Sequence, residues 1–152
     1  MKVELVPCYT YKALFLRLAK DYIETLKRYD KRIVWDEKSV SGWLWNSWFI
    51  LEDRTIQGFV TTEEVDFKIY RGLLYISEFY VVPESRRRGV GLAAVKALME
   101  SWRGDVFLYV LHGNFAAALF WEIVSNRLGW KRIERPGIRE EEGCELLVFQ
   151  TQ

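Results

Sequence analysis

Cysteine, histidine and net charge are all scarce in this chain. Its two cysteines, Cys8 and Cys144, stand near opposite ends of the sequence. Two are too few for a disulfide framework, and they lack metal-ligand spacing, so both read as ordinary packing thiols and no metal is expected. The single histidine, His112, reads as a surface or satisfied residue. With 22 basic and 21 acidic residues the formal net charge is +1, which argues against a general nucleic-acid surface. No apolar run approaches the roughly 20 residues that a membrane span needs. Neither nucleic acid nor membrane is therefore expected as a partner. Met1-Lys2-Val3-Glu4-Leu5 has no signal-peptide hydrophobic region, so a cytoplasmic protein is expected. There is no internal repeat, linker or low-complexity tract. At 152 residues, 50% hydrophobic and 28% charged, the chain reads as one globular domain over residues 1–152, long enough to bury a real core.

What is present is concentrated between residues 73 and 102. Leu73-Leu74-Tyr75-Ile76-Ser77-Glu78-Phe79-Tyr80-Val81-Val82 is apolar, aromatic and β-branched, and Pro83 stops it because proline donates nothing to a sheet ladder. That pattern predicts a buried strand. Leu92, Val95, Leu98, Met99 and Trp102 then recur at helical spacing, which predicts an amphipathic helix. Between the two lies Arg86-Arg87-Arg88-Gly89-Val90-Gly91. A basic loop entering a helix N-terminus is an anion site, since unpaired N–H groups and the positive end of the dipole converge there, and the glycines let backbone approach phosphate. A dinucleotide fingerprint fails: the first glycine follows the strand too late, and Leu111-His112-Gly113 stands where an acidic ribose ligand belongs. No Gly-Lys-Ser or Gly-Lys-Thr follows either, which excludes a P-loop.

The rest of the chain supplies a frame for that loop. Alternation over residues 2–8 predicts a first strand, and the apolar face from Tyr11 to Leu26 predicts a long helix ending near Asp30. Residues 35–48 hold four tryptophans, Trp35, Trp43, Trp45 and Trp48, which read either as an aromatic mini-core under a loop or as a lid over an apolar acceptor. Residues 48–60 read as two strands about a polar turn at residues 53–55, and a second hairpin is expected at Tyr70-Arg71-Gly72. Residues 106–111 form a short apolar strand. A helix joins it to the strand at residue 73, so the two should lie parallel by a right-handed crossover. A helix over residues 114–127 and a late strand pair, from Gly129-Trp130 and from residues 145–150, complete the pattern. Glu140-Glu141-Glu142 reads as a solvated charge run.

Val81-Val82-Pro83-Glu84-Ser85-Arg86-Arg87-Arg88-Gly89-Val90-Gly91-Leu92 resembles the acetyl-CoA signature of the GNAT N-acetyltransferases, an R/Q-x-x-G-x-G/A loop. The resemblance implies an α/β (α+β) fold: a mixed, mostly antiparallel central sheet with flanking helices and a splayed parallel strand pair. It implies that Arg86, Arg87, Arg88, Gly89, Val90, Gly91 and Leu92 hold the pyrophosphate of acetyl-CoA. Pantetheine would insert between the splayed strands and meet the main chain of Phe79, Val81 and Val82. The cosubstrate would be acetyl-CoA, and the acceptor a primary amine on a small molecule or peptide. A homodimer is left open.

The implied chemistry needs a polarised carbonyl, a route to deprotonate an ammonium and a proton for the departing thiolate. Glu78 is the one carboxylate inside the central strand, where many relatives place a base acting through water; an edge-facing charge or a ligand for a cationic acceptor are equal alternatives. Many relatives carry Asn-x-x-Ala-x-x-Phe-Tyr, with the tyrosine as general acid. Asn114, Ala117 and Phe120 match, and Asn114 joins the cofactor-binding set, but Trp121 stands at the tyrosine. Counting back from Gly129-Trp130 puts Ser125 at that position instead, which makes Ser125 the alternative acid. The missing tyrosine motivates a rival reading, a CoA-binding module that senses or regulates without turnover.

Overall fold

The computed structural model describes residues 1–67 and 72–152. The expected hairpin at Tyr70-Arg71-Gly72 therefore falls largely outside the described residues. Seven strands form one sheet in the order β1-β2-β3-β4-β5-β7-β6. They are β1 Val3–Pro7, β2 Ser47–Glu52, β3 Thr55–Val65, β4 Leu73–Val81, β5 Val106–Leu111, β6 Lys131–Ile133 and β7 Cys144–Gln150. All neighbouring strands run antiparallel except β4 and β5, which are parallel as the helical crossover between them requires. The fold is the mixed, mostly antiparallel arrangement that the family resemblance implies.

Two helical layers cover the sheet. On one face, α1 (Lys12–Leu26) buries Phe15, Leu18, Tyr22 and Ile23 against Phe49, Phe59 and Tyr80, and α2 (Glu37–Ser41) adds Val40 to the same cluster. On the other, α3 (Val90–Met99) and α4 (Phe115–Leu128) bury Val95, Leu98, Trp121 and Val124 against Val60, Leu74, Ile76, Val106 and Leu108. The β2–β3 hairpin turns on Asp53 and Arg54, both left-handed at φ 48 and 69, the signature of a two-residue primed turn whose twist suits the flanking strands.

Two local readings change. α3 ends at Met99 rather than Trp102, because Trp102 folds back onto the core while its indole N–H donates to the Asp105 carbonyl at 3.4 Å. The four tryptophans do not share one cluster. Trp35 and Trp43 pack under α1, and Trp48 packs on the opposite face of the sheet. Trp45 is 73% exposed, stacked on Tyr9 with centroids 5.4 Å apart.

Candidate active site

The parallel pair β4–β5 is short. Only Leu74 with Val106 and Tyr75 with Phe107 are in register. Beyond Tyr75 the strands part, and β4 acquires an inner edge. A bulge in the β3–β4 ladder falls at the same level, where Thr61 pairs with Glu78 and Thr62 with Ile76, leaving Ser77 unmatched. Bulges re-aim the side chains that follow. Here Glu78 faces α1, while Phe79 faces α4 and packs on Phe120 and Trp121, with centroids 5.3 and 5.4 Å away. The Val82 N–H donates to the Gln57 carbonyl at 2.8 Å, so that donor belongs to the sheet. Strand alternation then turns the polar main chain of Phe79 and Val81 toward the inner edge.

After β4, a 3-10 turn over Pro83–Ser85 leads into the basic loop. Arg87 sits at φ 62 and Gly89 at φ 82; a Cβ at Gly89 would meet nothing within 4 Å, so it is the left-handed backbone that calls for glycine there. Gly89 ends the loop as the N-cap of α3 and offers no side-chain cap, which leaves the first N–H groups of the helix, at Val90, Gly91 and Leu92, for a ligand. Gly91 also meets a packing demand. Its Cβ would lie 2.7 Å from Cε1 of Phe120, so the close approach it permits is that of α4.

The three arginines have separate roles. Arg86 donates from Nε to the Val81 carbonyl at 2.8 Å, with its guanidinium 5.7 Å from the Tyr80 ring centroid. Arg88 forms a fork on Glu52, at 2.6 and 3.0 Å. This pairing holds the Glu52 carboxyl below the usual carboxylate range. Gln57 reaches the same carboxylate at 3.4 Å and also accepts from the Ser85 hydroxyl, so the end of β2 and the start of β3 brace the loop. Arg87 is exposed and makes no ion pair among the described residues. Arg87→Ala is accordingly expected to raise the KM for acetyl-CoA roughly 10-fold, with kcat little changed and the effect fading at high salt, as for the loss of an exposed phosphate contact. Steady-state kinetics at two ionic strengths would check it.

On α4, Asn114 caps the helix, its Oδ1 accepting from the Ala117 N–H at 3.1 Å. Trp121 is 5% exposed and fixed by Phe79 and Phe120. One turn further on, the Ser125 hydroxyl donates to the Glu122 carbonyl of its own helix at 2.8 Å. His112 is exposed at the end of β5. On the opposite face Glu78 is partly buried, and its Oε1 accepts from the Tyr22 hydroxyl at 3.0 Å. Burial pushes the Glu78 carboxyl up to about 8, the Tyr22 hydrogen bond acts the other way, and Glu141 adds a smaller upward push. A cavity of about 830 Å³ lies elsewhere, bordered by Leu5, Trp48, Leu98 and Trp102, and neither Glu78, the loop nor Trp121 lines it. Glu78, Phe79 and the loop over residues 86–92 thus lie on or just beyond β4, while Ser125 belongs to α4 and His112 follows β5.

The family described as "Acetyltransferase (GNAT) family" has a model that matches residues 11–124. The chain belongs to that acetyltransferase family. As such it is an N-acetyltransferase dependent on acetyl-CoA. No curated protein matches the sequence. Solved structures repeat the fold at low identity. An acetyltransferase from Thermus thermophilus has a TM-score of 0.71 at 12% identity, over 97% of this chain and 96% of that one. Diaminobutyrate acetyltransferase from Paenibacillus lautus, in complex with L-2,4-diaminobutyric acid and coenzyme A, has a TM-score of 0.68 at 12% identity, over 99% and 94%. Ribosomal-protein-alanine N-acetyltransferase from Brucella melitensis has a TM-score of 0.65 at 17% identity, over 99% and 98%.

In this acetyltransferase the residues that the sequence left unmarked are the ones that brace others. Glu52 and Gln57 sit at a hairpin with no motif of their own, and Tyr22 lies inside an apolar helical stripe where its hydroxyl is invisible to periodicity. Among the described residues no helix is long and apolar enough to cross a membrane.

Proposed function

We propose that the acetyltransferase seats acetyl-CoA along the inner edge of β4, its pyrophosphate at residues 86–92, and transfers the acetyl group to a primary amine arriving from the α1 face. The observation that carries this reading is Glu78. It is a partly buried carboxyl next to a bulge at the level where β4 and β5 part, raised to about 8. A carboxylate with that affinity for protons is matched to an ammonium acceptor near neutral pH. In the transfer, one ammonium proton passes toward Glu78, the freed amine nitrogen bonds to the thioester carbonyl carbon, the carbon–sulfur bond breaks, the thiolate leaves and the nitrogen releases its second proton to solvent. The Val81 N–H at that edge is the donor for the carbonyl oxygen as it gathers charge, the Phe79 main chain being hydrogen-bonded to the Tyr22 phenol. Asn114 caps the helix beside the cofactor path, and the thiolate takes its proton from solvent.

Small amino acids and peptide N-termini are the acceptor classes that the structural relatives suggest, since one is a diaminobutyrate enzyme and another a ribosomal-protein-alanine enzyme. Both cysteines are free thiols, which suits the cytoplasm as the proposed location. One observation favours a second reading, CoA binding without turnover. The tyrosine position holds a buried indole, Trp121, and the nearby Ser125 hydroxyl is occupied by its own helix. A thiol-release assay across amino acids, polyamines and short peptides separates the two. Turnover with at least one amine is the expected result. Tight CoA binding by calorimetry, with no release above hydrolysis for any amine, would replace the enzyme by the binding module.

A further inference from the structure

The β4 carboxylate is not left to choose its own orientation. Tyr22 comes from α1, and its ring meets Phe59 edge-on at 5.5 Å (88°) and Tyr80 at 5.6 Å. It is 8% exposed. Those contacts hold the ring in place, and the hydroxyl, which also meets the Phe79 main chain, reaches Glu78 Oε1 at 3.0 Å. Burial and the Glu78 charge hold the Tyr22 phenol well above its ordinary range, so it stays a neutral donor wherever the protein is folded. The other titratable groups felt by Glu78 or feeling it are Glu141, in the loop before β7, and Tyr75 on the same strand. Neither is a cation. Tyr22 is therefore the one group among these that stabilises the carboxylate form.

We propose that Tyr22 is the positioning residue of the reaction, an α1 phenol that fixes the Glu78 carboxylate in one rotamer beside the β4 bulge and favours the ionised form that receives a proton. The proposal rests on the reading of Glu78 as base, and deepens it. In chemical terms the hydrogen bond opposes the desolvation that raises the carboxyl. Burial alone would keep the group protonated, whereas the bond brings its titration back toward neutrality. The second carboxylate oxygen is the one available to the acceptor or to an intervening water.

The test is Tyr22→Phe, which keeps the ring against Phe59 and Tyr80. Carboxyl carbon NMR on protein labelled at glutamate follows Glu78 without any acceptor, the resonance being assigned by its loss in Glu78→Gln. The midpoint is expected near 8 in the wild type and at least about one pH unit higher in Tyr22→Phe, the order expected for losing a hydrogen bond to a charged group. An unmoved midpoint in a folded variant would overturn the proposal and leave Tyr22 as packing. With an accepted amine, the acid limb of kcat/KM should move upward by a similar amount while the KM for acetyl-CoA stays put. The base reading fails separately: full turnover in Glu78→Gln would sink it, whatever the Tyr22→Phe titration shows.

Discussion

Glu78→Gln is expected to lower kcat/KM by about 10²-fold or more at pH 7, the usual cost of removing a positioned base. The pH dependence gives the sign. With its carboxyl at about 8, the wild type should gain activity up to roughly that pH and then level off. In the variant the free amine is the only reacting form, so its rate should keep climbing toward the pKa of the acceptor, near 10 for a lysine-like amine. The gap should therefore narrow above pH 8. Stability moves the other way. A carboxyl at about 8 in the fold against 4.5 ordinarily binds its proton more tightly when folded. Its cost is absent below 4.5 and grows as pH rises through about 8. Glu78→Gln should thus melt no lower than the wild type at pH 8, and higher relative to it there than at pH 5. A large fall in Tm together with an unchanged pH profile would make Glu78 a structural residue.

Gly58→Ala should have the largest effect on stability. Gly58 lies in β3 opposite Val81, and a Cβ there would stand 1.9 Å from the Tyr80 carbonyl oxygen and 3.0 Å from the Val81 Cα. These are backbone atoms of β4 and no rotamer change removes them. The strands would have to separate where they hold Tyr80 and Val81, just past Glu78 and Phe79. A loss of about 3 kcal/mol or more follows for overpacking that only backbone movement can relieve. For a chain of this size that corresponds to a Tm lower by roughly 6–12 °C. Acetyl-CoA affinity should fall with it, since the inner edge belongs to the displaced strand. A thermal melt within 2 °C of the wild type would show that β3 and β4 yield without cost, contrary to the argument.

The loop and the fold around it were legible because their signals are local. An apolar run halted by Pro83, a cluster of arginines and glycines, and a helical stripe each occupy a few consecutive residues, and the structure places strand, loop and helix there. Partners far apart in the chain were not legible. Arg88 read as a phosphate ligand, and its fork on Glu52, 36 positions away, was not legible. Gly91 read as a phosphate glycine, and the second demand on its missing Cβ, from the Phe120 ring on another helix, was not legible. Four tryptophans in one segment read as an aromatic mini-core or a lid, and the mini-core does not form, since strand alternation and a short turn send them to both faces of the sheet and to solvent. Tyr22 shows the same limit, because tyrosine in an apolar stripe reads as a ring, and its hydroxyl gains meaning only from a residue 56 positions on.

The two-pair seam between β4 and β5 also bears on how the molecule comes apart. In hydrogen-bonding terms the seven strands are a four-stranded and a three-stranded block sharing one short stitch. Most of what crosses it is side chain, in the layer where Val95, Leu98, Trp121 and Val124 lie over both blocks. A ligand bearing amides of its own can act as an eighth strand there. Its binding then adds directly to folding stability, by about 2.7 kcal/mol at a hundred times its Kd. With acetyl-CoA seated there as proposed, the cofactor is expected to slow proteolysis of the chain, because an unpaired strand edge is where proteolysis and aggregation begin.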